Sequence, residues 1–144
     1  MSTTPEDRSG LSTETIAELH KQAVAVAGQA YAPYSNFRVG AALLLATGEI
    51  VIGCNVENAS YRLTTCAEQS AIATAVSQYG PTIKLRAVAV ANLNGTASQP
   101  CGACRQTILE FSTPETWIFY PAEDGTIAVT SMSEMLPAGF HLAH

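Results

Sequence analysis

The sequence predicts an α/β protein, a three-layer α/β/α sandwich built on a sheet of about five strands. Three observations predict it. A segment of helical period runs from Thr13 to Pro33, an apolar hairpin pattern follows over 37–55, and a continuous small-apolar run, Leu85 to Ala91, suits a strand covered on both faces. Strands that alternate with helical segments imply a sheet with helices on both sides.

Taken in order, residues 1–11 are polar, carry Pro5 and Gly10, and read as a disordered tail ahead of a single domain over 12–144. Thr13 can cap a helix whose apolar positions Ile16, Leu19, Ala23, Val26 or Ala27, and Ala30 recur at helical spacing until Pro33 stops it. Phe37 to Ala46 reads as a strand, Thr47-Gly48 as a tight turn, and Ile50 to Asn55 as the antiparallel partner. Val56 to Leu63 has loop character. Cys66 to Tyr79 is helical, with Ala71, Ile72, Ala75 and Val76 forming a stripe for close packing, and Gly80-Pro81 ends it. Asn92 to Gln99 is a polar loop, Cys101 to Phe111 a further helix, and Trp117 to Tyr120 and Thr126 to Val129 are strands around Glu123-Asp124-Gly125. Ser131 caps a short last helix.

Composition narrows the function classes. The chain has 144 residues, 47% hydrophobic and 13% charged, as expected of a packed globular protein. Its net charge of −5, with only 7 basic residues, argues against a nucleic-acid-binding surface and favours a small neutral ligand. No apolar run approaches the roughly 20 residues of a membrane helix, and the first ten residues lack a signal-peptide core. The expectation is a cytoplasmic protein with reduced thiols, whose clustered cysteines point to metal or catalysis rather than disulfides.

The chemistry concentrates at two helix starts. Cys66 precedes Glu68 by two residues, and Cys101 and Cys104 stand at i and i+3, on one face of a first helical turn. Three sulfur ligands leave one corner of a zinc tetrahedron open, which separates a catalytic site from a closed structural one. A redox dithiol at Cys101 and Cys104 is the competing reading, but it leaves Cys66 and Glu68 without a role. The positive ends of the two helices favour the thiolate forms. Cys54 reads as a small buried residue at a strand end, and His20, His141 and His144 are not ligands.

With Ala32 to Phe37, Asn55 to Tyr61, Cys66-Ala67-Glu68 and Pro100 to Cys104 in this order, the chain resembles the cytidine deaminase family, in its small three-Cys homotetrameric branch. The resemblance implies the same sandwich fold, with a mixed sheet. It also implies one zinc per chain held by Cys66, Cys101 and Cys104, and Glu68 as the proton carrier in hydrolytic deamination of cytidine and 2′-deoxycytidine. It further implies that Asn55 and Glu57 hold the sugar, that Phe37 stacks near the pyrimidine, and that the Ala67 N–H meets the base carbonyl. Tyr61 and Phe140 would reach a neighbouring subunit's site.

One position departs from the pattern. The branch usually has Arg after the catalytic Glu, and this chain has Gln69. Three thiolates around Zn²⁺ sum to −1, and the candidates to offset that charge are the two helix N-termini and Arg105, which follows Cys104 and is expected to contact a sulfur. Alternatives are a deaminase of modified cytosine nucleosides or of an aminonucleoside antibiotic, and a non-catalytic zinc module, for which Glu68 would have no use.

Overall fold

The computed structural model describes residues 4–144. Its elements are α1 (Pro5–Ser9), α2 (Thr13–Ala27), β1 (Val39–Leu45), β2 (Ile50–Cys54), a 3₁₀ turn (Tyr61–Leu63), α3 (Ala67–Tyr79), β3 (Leu85–Asn92), α4 (Gly102–Glu110), β4 (Ser112–Pro121), β5 (Ile127–Ser131) and α5 (Met132–Met135). The five strands order as β2-β1-β3-β4-β5. Only β3 and β4 run parallel, joined by the crossover through α4, and the other pairs are antiparallel, so the sheet is mixed as expected.

The period of two in the strands sorts side chains into two cores. Ala42, Ala87, Ala89, Ala91 and Phe119 face α2 through Ile16, Leu19 and Ala23. Ala41, Leu43, Val88, Val90 and Ile118 face the opposite layer of α3, α4 and α5 through Ala71, Ala75, Ile108 and Met132. Ala71 and Ala75 are fully buried there, so the small-residue stripe packs within the subunit.

Two glycines set how closely the layers approach. A Cβ on Gly40 would lie 1.9 Å from Ala23 O, and one on Gly53 would lie 2.4 Å from Ala71 N and 2.9 Å from Ala67 O. The start of α3, and with it Cys66, is therefore seated directly on β2. Gly53→Ala is expected to push α3 outward at a cost of about 1–3 kcal/mol, typical of overpacking, and to weaken zinc retention. Thermal unfolding and metal analysis check it, and an unchanged melting temperature with full zinc would refute it.

The N-cap of α2 is Ser12, not Thr13, its hydroxyl accepting from Thr15 N at 3.1 Å, and the helix ends at Ala27, ahead of Pro33. The chain departs from its expected outline in three further places. Residues 1–3 of the expected tail lie outside the described residues, but Pro5–Ser9 form a helix instead of a disordered segment. Thr4 caps it by accepting from Asp7 N, and Gly10 closes it at φ 74°. Five residues are too few to hold a helix alone. Arg8 fixes it by donating to Val129 O at 3.1 Å and to Glu134 at 2.6 Å, with its guanidinium 5.2 Å from the Trp117 ring centre. Secondly, β4 begins at Ser112, not Trp117, because residues 113–116 form an irregularity: Leu85 pairs with Ser112 while Ala87 pairs with Trp117. Pro114 is tolerated in that irregular stretch. Thirdly, β1 starts at Val39, two residues late, since Asn36 turns through a left-handed φ of 58°.

Candidate metal centre and active site

Both thiol-bearing segments lie beyond the end of a strand and open a helix, as ligand sites in open α/β sheets do. Cys66 is the N-cap of α3, with its backbone in the extended region, and Gln69 completes a capping box: its Oε1 accepts from Cys66 N at 3.4 Å while its own N–H faces the Cys66 side chain. Cys101 is likewise the N-cap of α4, and Cys104 stands in the first turn of the same helix. The two helix starts converge. The sulfurs of Cys66, Cys101 and Cys104 all lie within 4.8 Å of one another. Tetrahedral zinc with Zn–S of about 2.3 Å needs sulfurs about 3.8 Å apart, so the cluster fits the ion with a closure of at most about 1 Å.

The protonation pattern fits as well. The Cys66 thiol is drawn down to about 6 by hydrogen bonding with Cys104 and then Cys101, against burial, which pushes it up. Cys104, almost wholly buried, is pushed upward by its bond to Cys66, by burial and by the charges of Glu68 and Cys66. One thiolate thus stands ready among thiol donors, as expected where helix N-termini meet.

Glu68 is the decisive neighbour. Its carboxyl is only 5% exposed, and burial, followed by the charge of Cys66, raises its pKa to about 7, although a backbone hydrogen bond pulls the other way. Buried carboxyls are rare without a charged partner. Glu68 and the three cysteines line one cavity of about 200 Å³ together with Phe37, Val39, Asn55, Ala67 and Val90. A roomier concavity of about 610 Å³ between Ala97 and Ala128 holds no thiol.

Comparison with known proteins decides the family. Residues 13–120 match the family model described as the cytidine and deoxycytidylate deaminase zinc-binding region. The chain belongs to this deaminase family. It is 46% identical over 112 residues to a cytidine deaminase of Sporosarcina psychrophila, covering 78% of this chain and 81% of that protein. The crystal structure of the cytidine deaminase from Mycobacterium tuberculosis superposes with a TM-score of 0.77 at 39% identity, over 88% of this chain and 98% of the other. That from Burkholderia pseudomallei gives 0.76 at 40% identity, over 90% and 100%. The three-thiol cluster of this deaminase fits one zinc ion per chain.

The other expected site residues divide. Asn55 lines the cavity, and its amide is fastened to β1: Oδ1 accepts from Val39 N at 2.9 Å and Nδ2 donates to Phe37 O at 2.8 Å. It therefore holds the Phe37 wall in place. Ala67 lines the cavity at the first helical position of α3, where a backbone N–H has no partner within the helix. Glu57 lies outside the cavity lining, and its carboxylate accepts from Tyr34 N, Ser35 N and the Ser35 hydroxyl, which hold its pKa below the usual range. Tyr61 is 76% exposed and meets Tyr34 edge-on at 6.5 Å. Phe140 is 68% exposed, its backbone bracketed by the Gln106 amide at 2.8 and 3.0 Å.

Arg105 corrects an expectation. Its Nε donates to Pro100 O at 2.8 Å, Nη1 to Met135 O at 3.1 Å and Nη2 to Gln99 Oε1 at 2.9 Å. All three nitrogens meet oxygen, not sulfur, because helical side chains lean back toward the N-terminus, here onto the loop before Cys101. Gln69 likewise acts on the Cys66 backbone. Of the two sources expected to offset the thiolate charge, the helix N-termini remain, and at α3 the Gln69 backbone N–H faces the Cys66 side chain. Cys54 is only half-buried at the end of β2. Thr64, Ser98 and Gln99, which sequence reading passed over, also line the cavity, and the signal was their position within three residues of a ligand.

Proposed function

We propose that this deaminase hydrolyses cytidine and 2′-deoxycytidine to uridine and 2′-deoxyuridine, releasing ammonia in pyrimidine salvage. The observation that carries the reading is the buried Glu68 carboxyl in one small cavity with the three thiols. When bound, zinc supplies Lewis acidity that makes water a nucleophile near neutral pH. Glu68 handles the protons. As the water oxygen bonds to C4, the carboxylate takes a proton from it and passes that proton to ring N3. It then carries the second water proton to the amino nitrogen, the C4–N bond breaks, ammonia leaves and the C4 carbonyl forms. A group poised near pH 7 can both accept and return a proton with little driving force lost either way.

Phe37 offers a flat wall for the pyrimidine, and the Ala67 N–H a donor to the base carbonyl. Asn55 keeps one N–H and one lone pair beyond its bonds to β1 for a sugar hydroxyl. Glu57 engages the sugar by sharing the place of its Ser35 donor. An ultraviolet assay over a panel of cytosine nucleosides, with zinc analysis of the same sample, is expected to show turnover of cytidine and 2′-deoxycytidine. Full zinc with no turnover of any of them would refute the reading and favour a non-catalytic zinc module.

The working unit is a homotetramer in which Tyr61 and Phe140 reach a neighbouring site. Supporting this, Tyr61, Leu63 and Phe140 expose 76%, 66% and 68% of their surfaces, an excess of apolar area for residues held in defined backbone positions. Light scattering is expected to give four chains per particle, and an active monomer would exclude the arrangement. Among the described residues no helix is long and apolar enough to cross a membrane. Four unpaired cysteines suit a reducing cytoplasm.

A further inference from the structure

Cys101 is the exposed member of the thiol cluster, and it hangs at the end of an irregular loop between β3 and α4. What fixes its sulfur is therefore whatever fixes residues 99–101. The earlier part of this loop is held by other residues: Ser98 N donates to Pro121 O at 3.2 Å, Asn92 Nδ2 donates to Thr96 O at 2.7 Å and Ser98 Oγ at 3.1 Å, and Asn94 Nδ2 donates to Asn36 O at 3.2 Å. From Gln99 onward one residue dominates. Arg105 N donates to Cys101 O at 2.9 Å, while its side chain holds Pro100 O and Gln99 Oε1. The remaining arm takes Met135 O, at the C-terminal end of α5, where helix carbonyls lack intrahelical donors. A guanidinium only donates, so Gln99 must turn its oxygen to Arg105, and its orientation is fixed.

We propose that Arg105 is a positioning residue that sets the Cys101 thiol and the Gln99 wall of the cavity by clamping residues 99–101 against the end of α5. The clamp works through geometry rather than charge. Its planar fork satisfies three acceptors that diverge from one another, which a lysine ammonium on a flexible stem does not reproduce. The charge itself is not delivered to sulfur. The inference rests on the zinc-deaminase reading of the site, but its main readout does not depend on turnover.

The test is the rate at which zinc passes from the loaded protein to a chromogenic chelator, measured well below the unfolding temperature. Arg105→Ala is expected to retain zinc about 10- to 100-fold less well, the range found when groups orienting a metal ligand are removed. Arg105→Lys, which keeps the charge, is expected to stay close to the Ala variant. Gln99→Leu leaves the guanidinium in place, loosens the same loop and is expected to give a smaller loss that is non-additive with Arg105→Ala, since both act on one clamp. Zinc retention at the wild-type level in Arg105→Ala or Arg105→Lys would overturn the proposal, as would simple additivity. If Arg105→Ala does not fold, the Lys and Gln99 variants carry the test. Should the wild type turn over no cytosine nucleoside while these retention changes appear, the functional reading falls and the clamp stands.

Discussion

Glu68→Gln is expected to keep the fold and its zinc while losing about 10³- to 10⁴-fold in kcat, the scale at which a positioned acid-base group contributes. The substitution is nearly isosteric. It leaves all three sulfur ligands in place and removes only the ability to take up and return a proton. Binding of cytidine should change much less, because the amide still fits the buried site and still offers hydrogen bonds, so the loss falls on kcat rather than KM. A second consequence has the opposite sign. The carboxyl is 5% exposed and its pKa is raised to about 7 chiefly by burial, so an ionised Glu68 is costly in the metal-free protein. A neutral amide avoids that cost, and the metal-free variant is expected to melt no lower than the wild type. A residue that weakens the fold where it sits and is retained for chemistry behaves in this way. Steady-state kinetics, metal content and thermal unfolding check the prediction together. Turnover at the wild-type rate would end the proton-carrier role.

The parts of this molecule legible in the sequence are those fixed by local pattern. Helical period marked α2, a continuous apolar run marked β3, two apolar segments around Thr47-Gly48 marked the hairpin, and the i, i+3 spacing of Cys101 and Cys104 put both thiols at the start of α4 as found. What escaped depends on contacts distant in sequence. The α1 helix carries its own signals in Thr4, Pro5 and Gly10, yet it is held by Arg8 reaching residues 129 and 134. No window of five residues contains that information. The same limit explains Arg105. Adjacency to Cys104 suggested a sulfur contact, but a helical side chain leaves its own turn, and the acceptors that claim this one lie on a loop and on α5. Asn55 shows a subtler case. Its place in the cavity followed from the motif, whereas its bonds to Val39 N and Phe37 O, which make it a strut for the aromatic wall, follow only from the pairing of β1 with β2 that brings Asn55 beside residues 37–39.

Removal of any one of the three thiols is expected to abolish zinc binding and activity together, but the three losses should differ once the metal is gone. Two remaining sulfurs make a poor zinc site, and without the ion the Lewis acidity that the chemistry would draw on is lost. In the metal-free state, however, each cysteine has a different structural load. Cys104 is 1% exposed, so Cys104→Ala removes a buried sulfur from the packing of α4 and is expected to lower the metal-free melting temperature. Cys66→Ala removes a half-buried side chain that faces Gln69 N at the start of α3, and is expected to lower the metal-free melting temperature less than Cys104→Ala does. Cys101→Ala touches an exposed residue and should leave metal-free stability within about 0.5 kcal/mol. Dialysing the wild type against a chelator supplies the reference, and it should itself lower the melting temperature, because an ion bound only by the folded chain stabilises it by mass action. Metal analysis and thermal unfolding of the four proteins, with and without zinc, separate ligation from packing. Full zinc and full turnover in Cys101→Ala would remove Cys101 from the ligand set, whereas equal metal-free destabilisation in all three variants would show that the thiols act on one another and not on separate elements.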